Sequence, residues 1–114
     1  MSGRVACMRE LVKSRRFEAD YHRAIRSGLS ADDWEHLAYL LAKHDSLPEE
    51  YGEHRLTDNW EGHWDCHLEG DLVVLYRRTA TKIYLARIGT HAELFPQRKR
   101  SRRKRGVSGW FFGE

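Results

Sequence analysis

Residues 71–91 read DLVVLYRRTATKIYLARIGTH, and the fold follows from how this stretch divides. Leu72 to Tyr76 is an unbroken apolar run, the pattern of a strand covered on both faces. TKIYLARI (81–88) is a second such segment, rich in β-branched and aromatic residues. Just upstream, HWDCHLE (63–69) reads as another strand, with Gly70 as the turn residue that joins it to DLVVLYRR. Just downstream, THAELF (90–95) reads as a helical turn that closes the domain.

Further upstream the periodicity becomes helical. Ser14 is placed to cap a helix running to about Arg26, with Phe17, Tyr21, Ala24 and Ile25 on one face and Gly28 ending it. Ser30 opens a second helix, with Asp32 and Asp33 at its positive end. Trp34, Leu37, Ala38 and Leu41 form its apolar stripe, and Pro48 marks the stop. CMRELVK (7–13) is a weaker strand candidate, and 49–62 reads as a long loop carrying His54 and Trp60. The predicted architecture is α+β: a small, mostly antiparallel sheet with an N-terminal helical hairpin on one face.

The chain has 114 residues, enough for one domain. No segment approaches the ~18–20 apolar residues of a membrane span, and MSGRVACMRE has no apolar core of a secretory signal. Cys7 and Cys66 are too few for a disulfide framework and are expected as reduced thiols, a single 7–66 bridge being the alternative. These features predict a cytoplasmic protein. The net charge of +3 hides an asymmetry. Residues 97–114 hold seven of the 20 basic side chains, and residues 1–96 hold 16 of the 17 acids. The expected division is therefore a domain over 1–96 and a basic tail over 97–114, and basicity says nothing about the domain itself.

Between 54 and 95 lie His54, His67, Asp71, Arg87, His91 and Phe95. An imidazole titrates near neutrality, so histidines serve both to take and to give a proton. A guanidinium holds phosphate oxygens bidentately and is always charged. Such a set suits cleavage of RNA: its own 2′-OH is the nucleophile, and the enzyme must move two protons and stabilise a phosphorane. Arg87, amid Ile83, Tyr84, Leu85, Ala86 and Ile88, reads as either a structural ion pair or a phosphate clamp. Phe95 reads equally as a core ring or a base-stacking one. Trp60 is assigned to packing, and His22, His36 and His44 to solvent. A His/Asp set also invites a metal, but H-E-x-x-H and C-x-x-C spacings are absent and Cys66 points away from His67 on a strand. No metal or cofactor is expected.

The run HRLTDNWEGHWDCHLEGDLVVLY followed by ARIGTHAELF resembles the YafQ branch of the RelE/ParE superfamily, bacterial toxin–antitoxin mRNA interferases. The resemblance spans residues 8–95 and is strongest from 54 onward. The family's H-x-x-x-D falls on His67 and Asp71, and R-x-G-[ST]-H-x-x-L-F on Arg87, Gly89, Thr90, His91, Leu94 and Phe95. His54, Leu56, Trp60 and Gly62 continue the match. Departures are Gly70 and Leu72, where the family commonly has Pro and Trp, and His63, where it usually has Tyr. His63 is thus either a spare acid/base group or a packed side chain.

The resemblance implies a RelE-like fold and a metal-independent endoribonuclease toxin that cuts mRNA at the ribosome. It places catalysis on His54, His67, Asp71, Arg87 and His91. Substrate binding would fall to Phe95, and beyond the family's usual end to Arg98, Lys99 and Arg100 of the tail. Expected partners are a cognate antitoxin, mRNA and ribosomal RNA. The alternatives are a non-catalytic protein of this fold, such as a gyrase poison or co-repressor, and an RNA-binding module working through the tail.

Overall fold

The computed structural model describes residues 8–95. Its strands are β1 (Glu10–Lys13), β2 (His54–Arg55), β3 (Trp64–His67), β4 (Leu72–Arg78) and β5 (Lys82–Thr90); its helices are α1 (Arg15–Arg26), α2 (Ala31–Lys43) and α3 (His91–Leu94). The sheet order is β1-β5-β4-β3-β2, with β1 parallel to β5 and the other neighbours antiparallel. The expected α+β class and the hairpin that organises it are both present. No helix among the described residues is long and apolar enough to cross a membrane.

The reason β4 is apolar from Leu72 to Tyr76 is visible in its packing. Val74 and Tyr76 face the main core, with Phe17, Leu37 and Leu41 from the helices. Val73 and Leu75 face the other way, into a smaller cluster with Leu94, Leu56, Trp60, Ala86 and Phe95. Each fully buried large side chain contributes roughly 1.5–3 kcal/mol. The helices therefore hold their place through this stripe, since helices this short are marginal in isolation. Ser14 caps α1 by accepting from the Phe17 N–H at 2.9 Å, and its hydroxyl donates to the Ala86 carbonyl at 2.9 Å. One side chain thus starts the helix and ties it to β5.

The segment 49–62 differs from the expected loop. It holds two 3-10 turns, Glu49–Tyr51 and Asp58–Trp60, and between them β2, the outermost strand. Leu47 and Tyr51 pack on the helix-side core, whereas Leu56 and Trp60 pack on the opposite cluster. The chain therefore wraps around the edge of β3. Glu53 fixes the near side of this wrap: it accepts from the Leu47 N–H (3.0 Å), from Arg78 Nη2 (2.8 Å) and from the Tyr76 hydroxyl.

On the far edge, β5 carries a bulge. Leu75 pairs with Arg87 but Tyr76 pairs with Leu85, leaving Ala86 as the extra residue. Beside it, Asp20 of α1 is 3% exposed. Its carboxylate accepts from Arg87 Nε (2.7 Å) and Nη2 (3.1 Å), from the Ile88 N–H (3.1 Å) and from Arg23 Nη2 (3.2 Å). A buried carboxylate so satisfied is costly to remove, because a charged guanidinium is left unpaired. We expect Asp20→Ala to lower unfolding free energy by about 3–5 kcal/mol. Arg23→Ala, at the exposed end of the same network, should cost no more than ~1 kcal/mol. Urea titrations of both variants provide the comparison.

Candidate active site

Register brings the predicted residues together across the sheet. On the face away from the helices, His54 pairs with Asp65, Asp65 with Leu75, and Leu75 with Arg87, so one row crosses four strands. The next row along runs from His67 to Val73 to Gly89. His91 follows at the start of α3. The rings of His67 and His91 lie 6.2 Å apart between centroids, and His91 lies 5.2 Å from Phe95. His54, His67 and His91 are all exposed.

The backbone around these side chains is narrowly specified. Gly52, at φ 55°, lies so close to His67 that an added Cβ would sit 3.2 Å from the ring's Cδ2. Gly89 leaves room for the α3 cap: a Cβ there would meet Glu93 Oε1 at 2.7 Å. Glu93 and Thr90 form a reciprocal capping box, Thr90 N–H to Glu93 Oε1 at 3.0 Å and Glu93 N–H to Thr90 Oγ1 at 3.2 Å. This sets the direction in which His91 leaves the sheet.

Two carboxylates in or under the site carry no signature in the motifs. Asp20 is one: it holds Arg87 in place and, by hydrogen bonding, raises the guanidinium's pKa further. Arg87 is thus in an ion pair, with its Nη1 uninvolved in that pair. Asp65 is the other. It is buried, and its Oδ1 accepts no hydrogen bond among the described residues. Burial raises its pKa, while the nearby charges of His54, His67 and His91 oppose the rise. His54 Nδ1 stands 3.9 Å from Asp65 Oδ1, an ion-pair distance when the imidazole is protonated. Asp20 falls on the Phe17–Ala24 stripe and Asp65 shares the strand face of His67 by alternation, but neither position by itself marks a site residue.

Asp71 lies exposed in the turn after His67, where no hydrogen bond or ion pair joins it to that histidine among the described residues. Phe95 is half-buried, packed on the Val73–Leu75 cluster as well as near His91. His63 is half-buried with its ring edge-on to Trp60 at 5.1 Å. His22, His36 and His44 are exposed on or beside the helices, and Cys66 is buried on the opposite face, its thiol pKa pushed up by burial. Arg98, Lys99, Arg100 and Cys7 lie outside the described residues. Among the described residues, no group of three His, Cys, Asp or Glu side chains is arranged to hold a metal ion.

Residues 9–96 match a family profile described as the bacterial toxin of a type II toxin–antitoxin system, YafQ. An mRNA interferase toxin YafQ of Escherichia coli B/BL21-DE3 is 32% identical over 88 residues, 76% of this chain and 96% of that protein. The crystal structure of the E. coli DinJ–YafQ complex contains a chain that superposes with TM-score 0.70 at 32% identity, covering 76% of this chain and 98% of that one. A metal-bound toxin from Helicobacter pylori superposes with TM-score 0.71 at 27% identity, over 77% of this chain and all of the other (100%).

The raised carboxyl of Asp65 has a consequence for stability. Below the ordinary carboxylate range the group is protonated in both states. As pH rises from there toward its raised native value, the unfolded chain releases the proton first, so stability falls. Asp65→Asn removes this contribution. We expect the variant to match or exceed the wild type in urea midpoint at pH 7, with a flatter dependence between the ordinary carboxylate range and neutrality. A variant clearly weaker at pH 7 would contradict a net burial penalty.

Proposed function

The chain belongs to the YafQ family of bacterial type II toxin–antitoxin toxins, and from that premise we propose that it is an endoribonuclease that cleaves mRNA without a metal. The observation that carries this reading is the convergence of three exposed histidines over one buried carboxylate, beside an anchored arginine and a ring. In this reaction the 2′-oxygen attacks the adjacent phosphorus and the P–O5′ bond breaks. The products are a 2′,3′-cyclic phosphate and a 5′-hydroxyl. His91 takes the 2′ proton and His67 gives one to the departing 5′-oxygen. Arg87, held from behind by Asp20, offers its remaining N–H groups to the phosphorane. His54, whose Nδ1 stands 3.9 Å from Asp65 Oδ1, faces the substrate from the other side. Asp71 stands at the rim, where it meets a substrate hydroxyl, and Phe95 stacks on a base.

Partners and place follow from this activity. The substrate is mRNA being translated, so the protein works in the cytoplasm on the ribosome. A cognate antitoxin binds this chain, as DinJ is found in complex with the E. coli toxin, and silences it by covering the histidine face. The basic tail over 97–114, with Arg98, Lys99 and Arg100 at its start, adds sequence-independent attraction to RNA phosphate.

Two experiments check these assignments. Mapping of mRNA ends during translation should give in-frame cuts with the wild type, in the presence of EDTA. His67→Ala/His91→Ala should cut at least ~10²-fold more slowly. A folded, ribosome-bound wild type that makes no cuts would remove the nuclease reading in favour of a non-catalytic toxin. Separately, a chain ending at Pro96 should keep its cleavage chemistry but bind ribosomes more weakly, with a shallower salt dependence. Equal affinity and equal slope would show that the tail does not touch RNA.

A further inference from the structure

One sheet row beyond the histidine site, on the same face, lies a cleft that none of the catalytic residues line. Val12 of β1 pairs with Tyr84 of β5, and Tyr84 pairs with Arg77 of β4. His63, the residue before Trp64 of β3, completes the row, since Trp64 pairs with Tyr76. Together with Ser14 and Ala86 these residues line a cleft of about 290 Å³. Asp65 and His63 are two residues apart at the start of β3, so the rows are separated by roughly 7 Å. That is comparable to one phosphate-to-phosphate step of an extended nucleic acid strand.

The chemistry of the cleft is that of a nucleotide seat. The Arg77 guanidinium lies over the Tyr84 ring, 5.0 Å from its centroid, and the ring is half-exposed. Arg77 is exposed and has no carboxylate partner among the described residues. The apolar floor of Val12 and Ala86 suits a flat ring, and any base has a face for stacking on tyrosine. His63, half-buried, forms part of the wall. An acidic peptide would answer the charge, but it would leave the ring and the apolar floor uncovered.

We propose that this cleft is a second substrate subsite, which stacks a base of the RNA strand on Tyr84 and holds an adjoining phosphate with Arg77. It rests on the reading of RNA as substrate and extends it: the bound strand runs from the histidines past the Trp60–His63 wall to the β1 edge. Trp60 covers the middle of this face, so the strand bends around it. His63, where the family usually has tyrosine, gives this chain a wall of its own and a means of preferring particular bases.

The test uses the full chain and RNA probes that cannot be cut. A 2′-O-methyl hexanucleotide reaches both sites, whereas a 2′-O-methyl dinucleotide fills only the histidine site. By fluorescence anisotropy, Arg77→Gln and Tyr84→Ala should each weaken hexanucleotide binding by about tenfold. Both should leave the dinucleotide unchanged. Tyr84→Phe keeps the stacking face and should bind like the wild type, which separates a lost contact from a misfolded sheet. With translated mRNA the same two variants should raise KM and leave kcat unaltered. Unchanged hexanucleotide affinity in both variants overturns the proposal. So does a loss confined to a hexaglutamate peptide, which would assign the cleft to an acidic protein segment. Because the probes are uncleavable, failure of the nuclease reading appears separately, as a bound oligonucleotide whose 2′-OH counterpart is never cut.

Discussion

Everything distinctive about this domain turns on a carboxylate placed where a hydrogen-bond ladder stops. β1 pairs with β5 only as far as Lys13 and Leu85. Beyond that point the edge of β5 would present an open N–H beneath α1. Asp20 takes the Ile88 N–H and, with the same two oxygens, the Arg87 side chain. A single residue thus ends the sheet, seats the first helix and aims the cation. The ion pair is not there chiefly for stability, since replacing such a pair by apolar residues is often neutral. What it fixes is direction, because a bidentate pair tolerates little rotation.

The opposite edge solves a related problem by another route. β2 is two residues long and both are exposed, so little apolar burial holds it. Its position is set by the flanks. Glu53 is locked between Leu47, Tyr76 and Arg78 on the helix side, while Leu56 and Trp60 are buried on the other. His54 lies between these anchors, and Gly52 lets the chain pass close against His67. Histidines from distant parts of the sequence are therefore positioned by packing at each end of a short span, which suits side chains that must stay exposed.

The legible part of the sequence was the part governed by local period. β4 and β5 announced themselves through the apolar run Leu72–Tyr76 and the β-branched and aromatic segment around Ile83–Ile88, and α1 and α2 because Phe17, Ala24, Trp34, Leu37 and Leu41 recur at helical spacing and are all buried. β2 did not, because two exposed residues in EHRL have no period to read. The histidines, Arg87 and Phe95 were legible through their motif. Asp20 and Asp65 were not, for a different reason. An acid in a helix or strand normally means solvent; for Asp20 what overrides that is Arg87, 67 residues along the chain, while Asp65 is buried with its Oδ1 accepting no hydrogen bond among the described residues. Long-range compensation of a buried charge leaves almost no local mark.

The two faces of the sheet show why the site sits where it does. On the helix side the core is continuous, and Cys66, Val74, Tyr76, Ile83, Leu85 and Ile88 all take part. On the other side the buried cluster among the described residues contains Val73, Leu75 and Leu94, with Leu56, Trp60, Ala86 and Phe95 around it. That cover is enough to keep β4 dry at its centre. It does not reach the ends of the neighbouring strands, so polar side chains there keep their hydration and stay reactive. Asp65 lies at the border, close enough to the cover to lose its water and close enough to His54, His67 and His91 to be useful to them. A more complete cover would bury the histidines, and a sparser one would leave Asp65 solvated and its influence screened. For the proposed reaction, the partial cover is therefore a requirement as much as it is for the fold.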